Sequence, residues 1–305
     1  MRSMAEALDF ALRPLAAFEV GCLARQALQP GQRGRVGAIF EHSFYVSLAR
    51  TAVCVGPAAL GAGPLNLRCR RNPRGWRAAG LREGMAVLVG PHELRLPPHL
   101  AISVAEAAVW TPEPPGHWSA ASLGAGLAVL DGLLPERVPK QGLGFLALPW
   151  HADEAAQSAV AAAACGPAKV LSAFLHRAMA RNGDQTSPPV HELHALIGLG
   201  PGLTPSGDDL LGGALVALHL LDRPELAETL WHGISGAIET GTNAISRAHL
   251  AAAARGLGGA ALHAILNDLL TGKRDVLAAR LAAVDRIGHT SGWDALAGAT
   301  IALRA

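Results

Sequence analysis

The spacing of apolar positions changes character along the chain. Between residues 4 and 28, Leu8, Phe10, Ala11, Leu15, Phe18 and Cys22 recur at approximately helical intervals and predict a helix, which Pro14 would kink or split. Residues 34–40, 43–48, 52–55, 66–69, 85–89, 93–96 and 107–110 are instead short β-branched or alternating runs. Gly56-Pro57, Gly63-Pro64, Asn72-Pro73 and Gly90-Pro91 punctuate them. Short strands between turn signals predict a small antiparallel barrel or sandwich. The run TPEPP at 111–115 is a stiff linker, because each proline disfavours helix in the residue before it. Beyond it the period returns to that of helices, expected at 119–134, 154–165, 168–181, 190–197, 208–221, 224–240, 244–255, 259–270, 275–287 and 292–303, with 181–189 as the most flexible connector. The pattern predicts an α+β protein. Residues 1–115 form an N-terminal helix plus a small antiparallel β domain, and residues 116–305 form a mainly helical domain.

Composition narrows the function classes. Half the residues are apolar and only 4% are aromatic, which suits close-packed, alanine-rich helices. The net charge is +2, and the cations are 23 arginines and three lysines scattered along the chain rather than gathered on a stripe. A nucleic-acid binder would concentrate them, so the expected partner is a small molecule or another protein. No run reaches the roughly 18 uncharged apolar residues that span a bilayer, and the N-terminus lacks a signal-peptide pattern. A cytoplasmic protein is expected. Cys22, Cys54, Cys69 and Cys165 are far apart and read as free thiols.

The strongest chemical signal is GLGPGLTPSGDD at 198–209. Its glycines permit positive φ and leave backbone N–H groups uncovered, while Pro201 and Pro205 stiffen the path. Ser206 stands three residues before Asp209, the spacing of a capping box, and the apolar run that follows predicts a buried helix. A glycine loop feeding a helix N-terminus makes an anion cradle from orphan N–H donors and the helix dipole. Gly202–Gly207 begins like a nucleotide P-loop, but Asp208-Asp209 stand where Lys-Ser/Thr should follow, which excludes a simple one. The plain alternative is a tight loop with a helix cap. The two aspartates could hold Mg²⁺ through water, although compensation of the helix dipole explains them at least as well, and no other cofactor is expected.

Two more helix starts resemble this one. GTNAISRAH at 241–249 offers Thr242, Asn243, Ser246, Arg247 and His249; GHTSGWD at 288–294 offers His289, Thr290 and Ser291 and repeats the S-x-x-D spacing. Three such starts in one helical domain suggest N-termini converging on one pocket. On this reading Gly200, Gly202, Thr204, Ser206, Gly207, Asp208, Asp209, Thr242, Asn243, Ser246, Thr290 and Ser291 line a site for phosphate or carboxylate. Arg247 would clamp the group's charge, and His249 or His289 could move a proton. His191-Glu192-Leu193-His194 falls short of a zinc motif and reads as a solvated helix face.

These stretches together, GLGPGLTPSGDDLLGG, TNAISRAHL with the following AARGLGGA, and GHTSGWDALAG, resemble the AllH-like family over roughly residues 190–300. The resemblance implies a subunit of oxamate carbamoyltransferase in allantoin and purine breakdown. Such an enzyme transfers a carbamoyl group between oxalurate and phosphate, giving oxamate and carbamoyl phosphate, and works in a complex with other subunits. The resemblance itself carries over no catalytic residue, so the roles above rest on the residues themselves. The Ser-Thr-Arg-Thr loop of ordinary transcarbamylases is missing. The expected ligands, phosphate, a carboxylate or carbamoyl phosphate, are all small anions. The alternative from another class is a noncatalytic scaffold or anion-sensing subunit. A biotin-type carboxylase is disfavoured, because neither an ATP loop nor a carrier-lysine motif is visible.

Overall fold

The computed structural model describes residues 13–70, 75–148, 158–180 and 187–305. The chain forms two compact units, Met1–Thr111 and Pro112–Ala305. The first is built of β1 (Arg13–Gly21), α1 (Cys22–Ala27), β2 (Arg33–Ile39), β3 (Phe44–Leu48), β4 (Thr51–Pro57), β5 (Asn66–Cys69), β6 (Ala86–Val89), β7 (Glu93–Leu96), β8 (Leu100–Ser103) and β9 (Ala108–Trp110). Strands run in the order β5-β4-β3-β2-β6-β7-β8-β1, and β1 pairs back onto β5, closing an eight-stranded barrel. β9 extends the β8 side by pairing with the end of β1.

The barrel corrects two expectations. Residues 13–21 are a strand, not part of a helix, whereas Cys22–Ala27 of the same predicted helix are helical as α1; its part up to residue 12 lies outside the described residues, as do Asn72-Pro73 and most of the 181–189 connector. The cause is a β-bulge between Ala17 and Glu19, which breaks the period-two alternation. The buried positions become Ala17 and Val20, three apart, a spacing that imitates a helix. The sheet is also mixed rather than antiparallel: β1 runs parallel to β8 and β9, and β4 parallel to β5. The interior is filled by Val36, Val46, Val53, Val55, Leu94 and Ile102, with Phe44 packed edge-on to Trp76 at 4.7 Å.

The second unit holds α2 (Ala120–Leu133), α3 (Ala159–Ala180), α4 (Val190–His194), α5 (Ser206–Leu220), α6 (Pro224–Gly241), α7 (Ala244–Ala253), α8 (Ala260–Leu270), α9 (Leu277–Val284) and α10 (Ser291–Leu303). Two helices expected on either side of Gly166-Pro167 are one, α3. The carbonyl that Pro167 cannot serve belongs to exposed Ala163, on the solvent side of the helix, while Ala164, Ala168 and Leu171 hold the buried face in line. α3 is the one described helix long and apolar enough to cross a bilayer by length and composition, and its stripe from Ala161 to Ala178 packs into the helical core.

α5 is the axis of this unit. Twelve of its 15 residues are buried, and it crosses α10, which buries 11 of 13. The crossing is set by two reciprocal glycines. A Cβ on Gly213 would lie 1.8 Å from the Ala295 carbonyl oxygen, and one on Gly298 would lie 1.8 Å from that of Leu210. Backbone meets backbone at both points. That proximity brings the N-terminal turns of α5 and α10 to one place.

Gly298→Ala should cost about 1–3 kcal/mol or more, since neither carbonyl can withdraw without separating the helices. Gly124→Ala and Gly236→Ala, on exposed helix positions with nothing within 4 Å of the new methyl, should stabilise by roughly 0.5–1 kcal/mol. Urea denaturation of the three variants checks this; equal effects would mean that the crossing is not glycine-limited.

Candidate functional site

The loop before α5 is shaped by glycines in left-handed conformations: Gly198 at φ 71°, Gly200 at φ 114° and Gly202 at φ 98°. Gly198 lies against the end of α6, where a Cβ would come within 2.2 Å of the Gly241 carbonyl oxygen; one on Gly200 would lie 2.9 Å from the Ser206 nitrogen. Gly202 is exposed and has open space beside it. Gly207 packs on the Leu196 backbone, and its N–H donates to the Leu199 carbonyl at 2.9 Å. The loop thus folds back onto the first turn of the helix it feeds.

Asp208, only 2% exposed, fastens that turn to its neighbours. Its Oδ1 accepts from the Gly198 N–H at 2.8 Å, and its Oδ2 accepts from the hydroxyls of Thr242 and of Ser246, the latter at 2.6 Å. One carboxylate therefore joins the loop, the α6–α7 junction and the first turn of α7. Asn243 caps α7, accepting from the N–H groups of Ile245 and Ser246, and its Nδ2 donates to the Leu203 carbonyl at 2.8 Å. The second tie to the loop is made by the cap itself.

The two S-x-x-D spacings do not form capping boxes. Pro205 and Thr290 occupy the N-cap positions, and Ser206 and Ser291 are the first helical residues. Proline, with its fixed φ, takes the extended position before α5 and displaces the serine inward. The serines instead reach across between helices. Ser291 Oγ lies 2.9 Å from Thr204 Oγ1, and Ser206 hydrogen-bonds Asp294. Asp294 is fully buried and also accepts from the Leu143 N–H and from Thr290 Oγ1. Gly142, at φ 76°, admits it: a Cβ there would sit 2.5 Å from Asp294 Oδ1.

Asp209 stands between these groups. Its carboxyl meets the hydroxyls of Ser291 and Thr204 through one oxygen, while Oδ2 is shut away from solvent without a hydrogen-bond partner. Burial first, and then the neighbouring Asp294 and Asp208, push its pKa well above the ordinary carboxylate range. Asp294 is shifted in the same direction by burial, opposed by the Leu143 N–H and two hydroxyls.

Arg247, His249 and His289 are placed differently. Arg247 Nη1 donates to the carbonyls of Glu239 at 2.7 Å and Thr242 at 3.3 Å, so part of its guanidinium serves the C-terminal end of α6. His249, on α7, is pushed down to about 4 by desolvation and is neutral at pH 7. His289 is exposed and pairs with Gln141 Oε1 at 2.7 Å. Of the residues named from sequence, two sets are brought together: Asp208 with Thr242, Asn243 and Ser246, and Asp209 with Thr204, Ser206, Thr290 and Ser291. Asp294 joins the second set, and sequence reasoning passed it over as a mere helix-capping partner of Ser291. Leu143 contributes a backbone N–H, for which the sequence carries no signal.

The residues do not fit a magnesium site at Asp208 and Asp209. Both oxygens of Asp208 are occupied by donors, and among the described residues no three His, Cys, Asp or Glu side chains gather to hold an ion. His191, Glu192 and His194 are exposed, and His194 bonds the Gly233 carbonyl.

Thr242→Val and Ser246→Ala should each destabilise by roughly 1.5–3 kcal/mol, the range for hydrogen bonds to a charged group, and Asp208→Asn by at least as much, because its amide would turn N–H against donors. Urea midpoints measure it; changes within noise would mean that Asp208 does not hold the helix starts together. Asp209 gives a pH signature. Its folded-state pKa is raised, so its contribution to stability is complete below the ordinary value of 3.8 and is lost as pH rises from there through the folded value. The melting temperature of the wild type should fall relative to that of Asp209→Asn as pH increases above 3.8. A constant gap across that range would contradict the shift.

Residues 196–303 match the family model described as oxamate carbamoyltransferase subunit AllH. No curated protein and no solved structure matches the chain. The matched stretch begins just before the glycine loop and ends with α10, so it contains α5, α7 and α10 and the three aspartates between them. The resemblance read from the three motifs is borne out over residues 196–303, the segment that builds these converging helix starts and is similar to the AllH family.

Proposed function

We propose that the chain is a subunit of an oxamate carbamoyltransferase-like enzyme, which moves a carbamoyl group between oxalurate and phosphate and yields oxamate and carbamoyl phosphate. The observation that carries this reading is the meeting of three helix N-termini, rich in hydroxyls, within the segment that matches the AllH model. In the forward direction a phosphate oxygen bonds to the carbamoyl carbon and the C–N bond to oxamate breaks. The departing nitrogen takes up a proton. Charge moves from phosphate through the tetrahedral centre to the leaving nitrogen, and fixed N–H and O–H dipoles suit that shift.

In this reading Gly200 and Gly202 offer backbone N–H groups, Thr204 and Ser291 offer hydroxyls, and Arg247 presents to the ligand the edge of its guanidinium that α6 does not use. Neutral His249 is the candidate proton carrier. The subunit works in a cytoplasmic complex, with partner chains supplying the rest of the active site. One observation favours a second reading, a noncatalytic anion-sensing subunit: four of the six hydroxyls at the helix starts are already spent, Thr242 and Ser246 on Asp208, Thr290 and Ser206 on Asp294.

Purified protein, alone and reconstituted with the neighbouring subunits, is assayed for phosphate-dependent cleavage of oxalurate. Activity is expected only in the complex, and Arg247→Ala should lower it at least tenfold, the loss of one charge-assisted hydrogen bond. A complex that assembles normally and turns over equally well with Arg247→Ala and Ser206→Ala would leave the chain with the sensing role. No turnover in any combination would remove the carbamoyltransferase reading.

A further inference from the structure

Asp209 Oδ2 is closed to solvent and has no hydrogen-bond partner. A native protein seldom buries such an atom without a use for it, because it loses water and gains nothing in return. We infer that Asp209 is a ligand-binding residue: in its neutral form its Oδ2–H, which no protein atom accepts, donates a hydrogen bond to an oxygen of a bound phosphate or carboxylate. The inference rests on the anion-site reading above and names the group that makes such a site electrostatically workable.

The surroundings decide where the proton sits. Among the described residues, the charged groups acting on Asp209 are Asp294 of α10 and Asp208 of its own helix, and both are acids. Two neighbouring buried carboxyls without a cation do not both ionise. Asp208 accepts three hydrogen bonds, and Asp294 receives the Leu143 N–H and the hydroxyls of Thr290 and Ser206. The oxygens of both are thus already taken up by donors from the protein. Asp209 has the mutually bonded Thr204 and Ser291 hydroxyls beside one oxygen, with one proton between them left to donate to it, and nothing on the other, so it keeps the proton.

Three ionised aspartates would repel any anion that approached the helix starts. With Asp209 neutral, one of the three negative charges is gone and a strong donor stands in its place. The Thr204–Ser291 hydroxyl pair adjoins this carboxyl. A buried acid kept neutral at pH 7 so that it can donate is a known way to stabilise an oxyanion.

The test measures binding of inorganic phosphate and of oxamate by calorimetry, across a pH series, to the full chain and two variants. Wild-type affinity should fall as pH rises through the Asp209 titration, after correction for phosphate's own ionisation, a correction that oxamate does not need. Asp209→Asn keeps an N–H donor and should bind with little pH dependence. Asp209→Leu, similar in size but without a donor, should bind about tenfold more weakly or worse at every pH. An infrared difference spectrum at pH 7 should show a protonated carboxyl band that Asp209→Asn lacks. Wild-type binding that Asp209→Leu leaves unchanged, or a wild type without the band, would overturn the role of Asp209 and leave the anion site standing. Failure of the wild type to bind either anion would overturn the site and this role with it.

Discussion

A single buried carboxylate holds the second unit's helix starts in one place. Asp208 cannot leave the interior without stranding the Gly198 N–H and the hydroxyls of Thr242 and Ser246, and none of those donors has another acceptor as strong within reach. The glycine loop, the end of α6 and the beginning of α7 are therefore fixed relative to α5 by one group. The position of Asp208 in the first turn adds a favourable interaction with the α5 dipole. Its neighbour in sequence is held by the same turn, which is why Asp209 can be buried without an ion pair of its own.

The other fixed relation is the contact of α5 with α10. The glycines at 213 and 298 remove the side chains that would normally keep two helices 8–10 Å apart, and the N-terminal turns come close as a result. Asp294 then sits near enough to Asp209 for its charge to disfavour ionisation of Asp209. Packing and electrostatics are coupled here: side chains at either glycine would separate the helices and relax the pKa shifts. The cost of crowding two acids is met by burial of the apolar flanks of both helices, from Leu210 to Leu220 and from Trp293 to Leu303.

Much of this was legible in the sequence. The glycine loop, the buried helix after it and the two other hydroxyl-rich helix starts all carry local signals, and Asn243 caps its helix as that residue type should. What failed were inferences that needed partners distant in the chain. Residues 13–21 look helical because Leu15, Phe18 and Cys22 fall at helical intervals, and only pairing with residues 67–69 and 100–103 shows a strand. β8 at Leu100–Ser103 is four residues long and follows two prolines, too short a run to announce itself. The S-x-x-D spacings were genuine signals given the wrong geometry. Thr290 and Pro205 took the cap positions, and the serines and aspartates turned to one another across helices instead. Leu143 enters the site through its backbone, which no side-chain pattern can reveal.

A protein with only three lysines can still present positive potential at a cluster of helix starts. Helix N-termini provide positive potential without mobile cations, but three of them together, unbalanced, would be costly to bury. The chain balances them with its own acids. Asp208 and Asp294 each absorb donors that would otherwise point into an apolar interior, and their charges are spent in doing so. Had all the donors been satisfied in this way, no capacity for a ligand would remain. The imbalance falls at Asp209, where the hydroxyls of Thr204 and Ser291 bond to each other and one carboxyl oxygen is left bare. It is the one place in the cluster where a small oxygen-rich molecule would gain hydrogen bonds rather than compete for those already made.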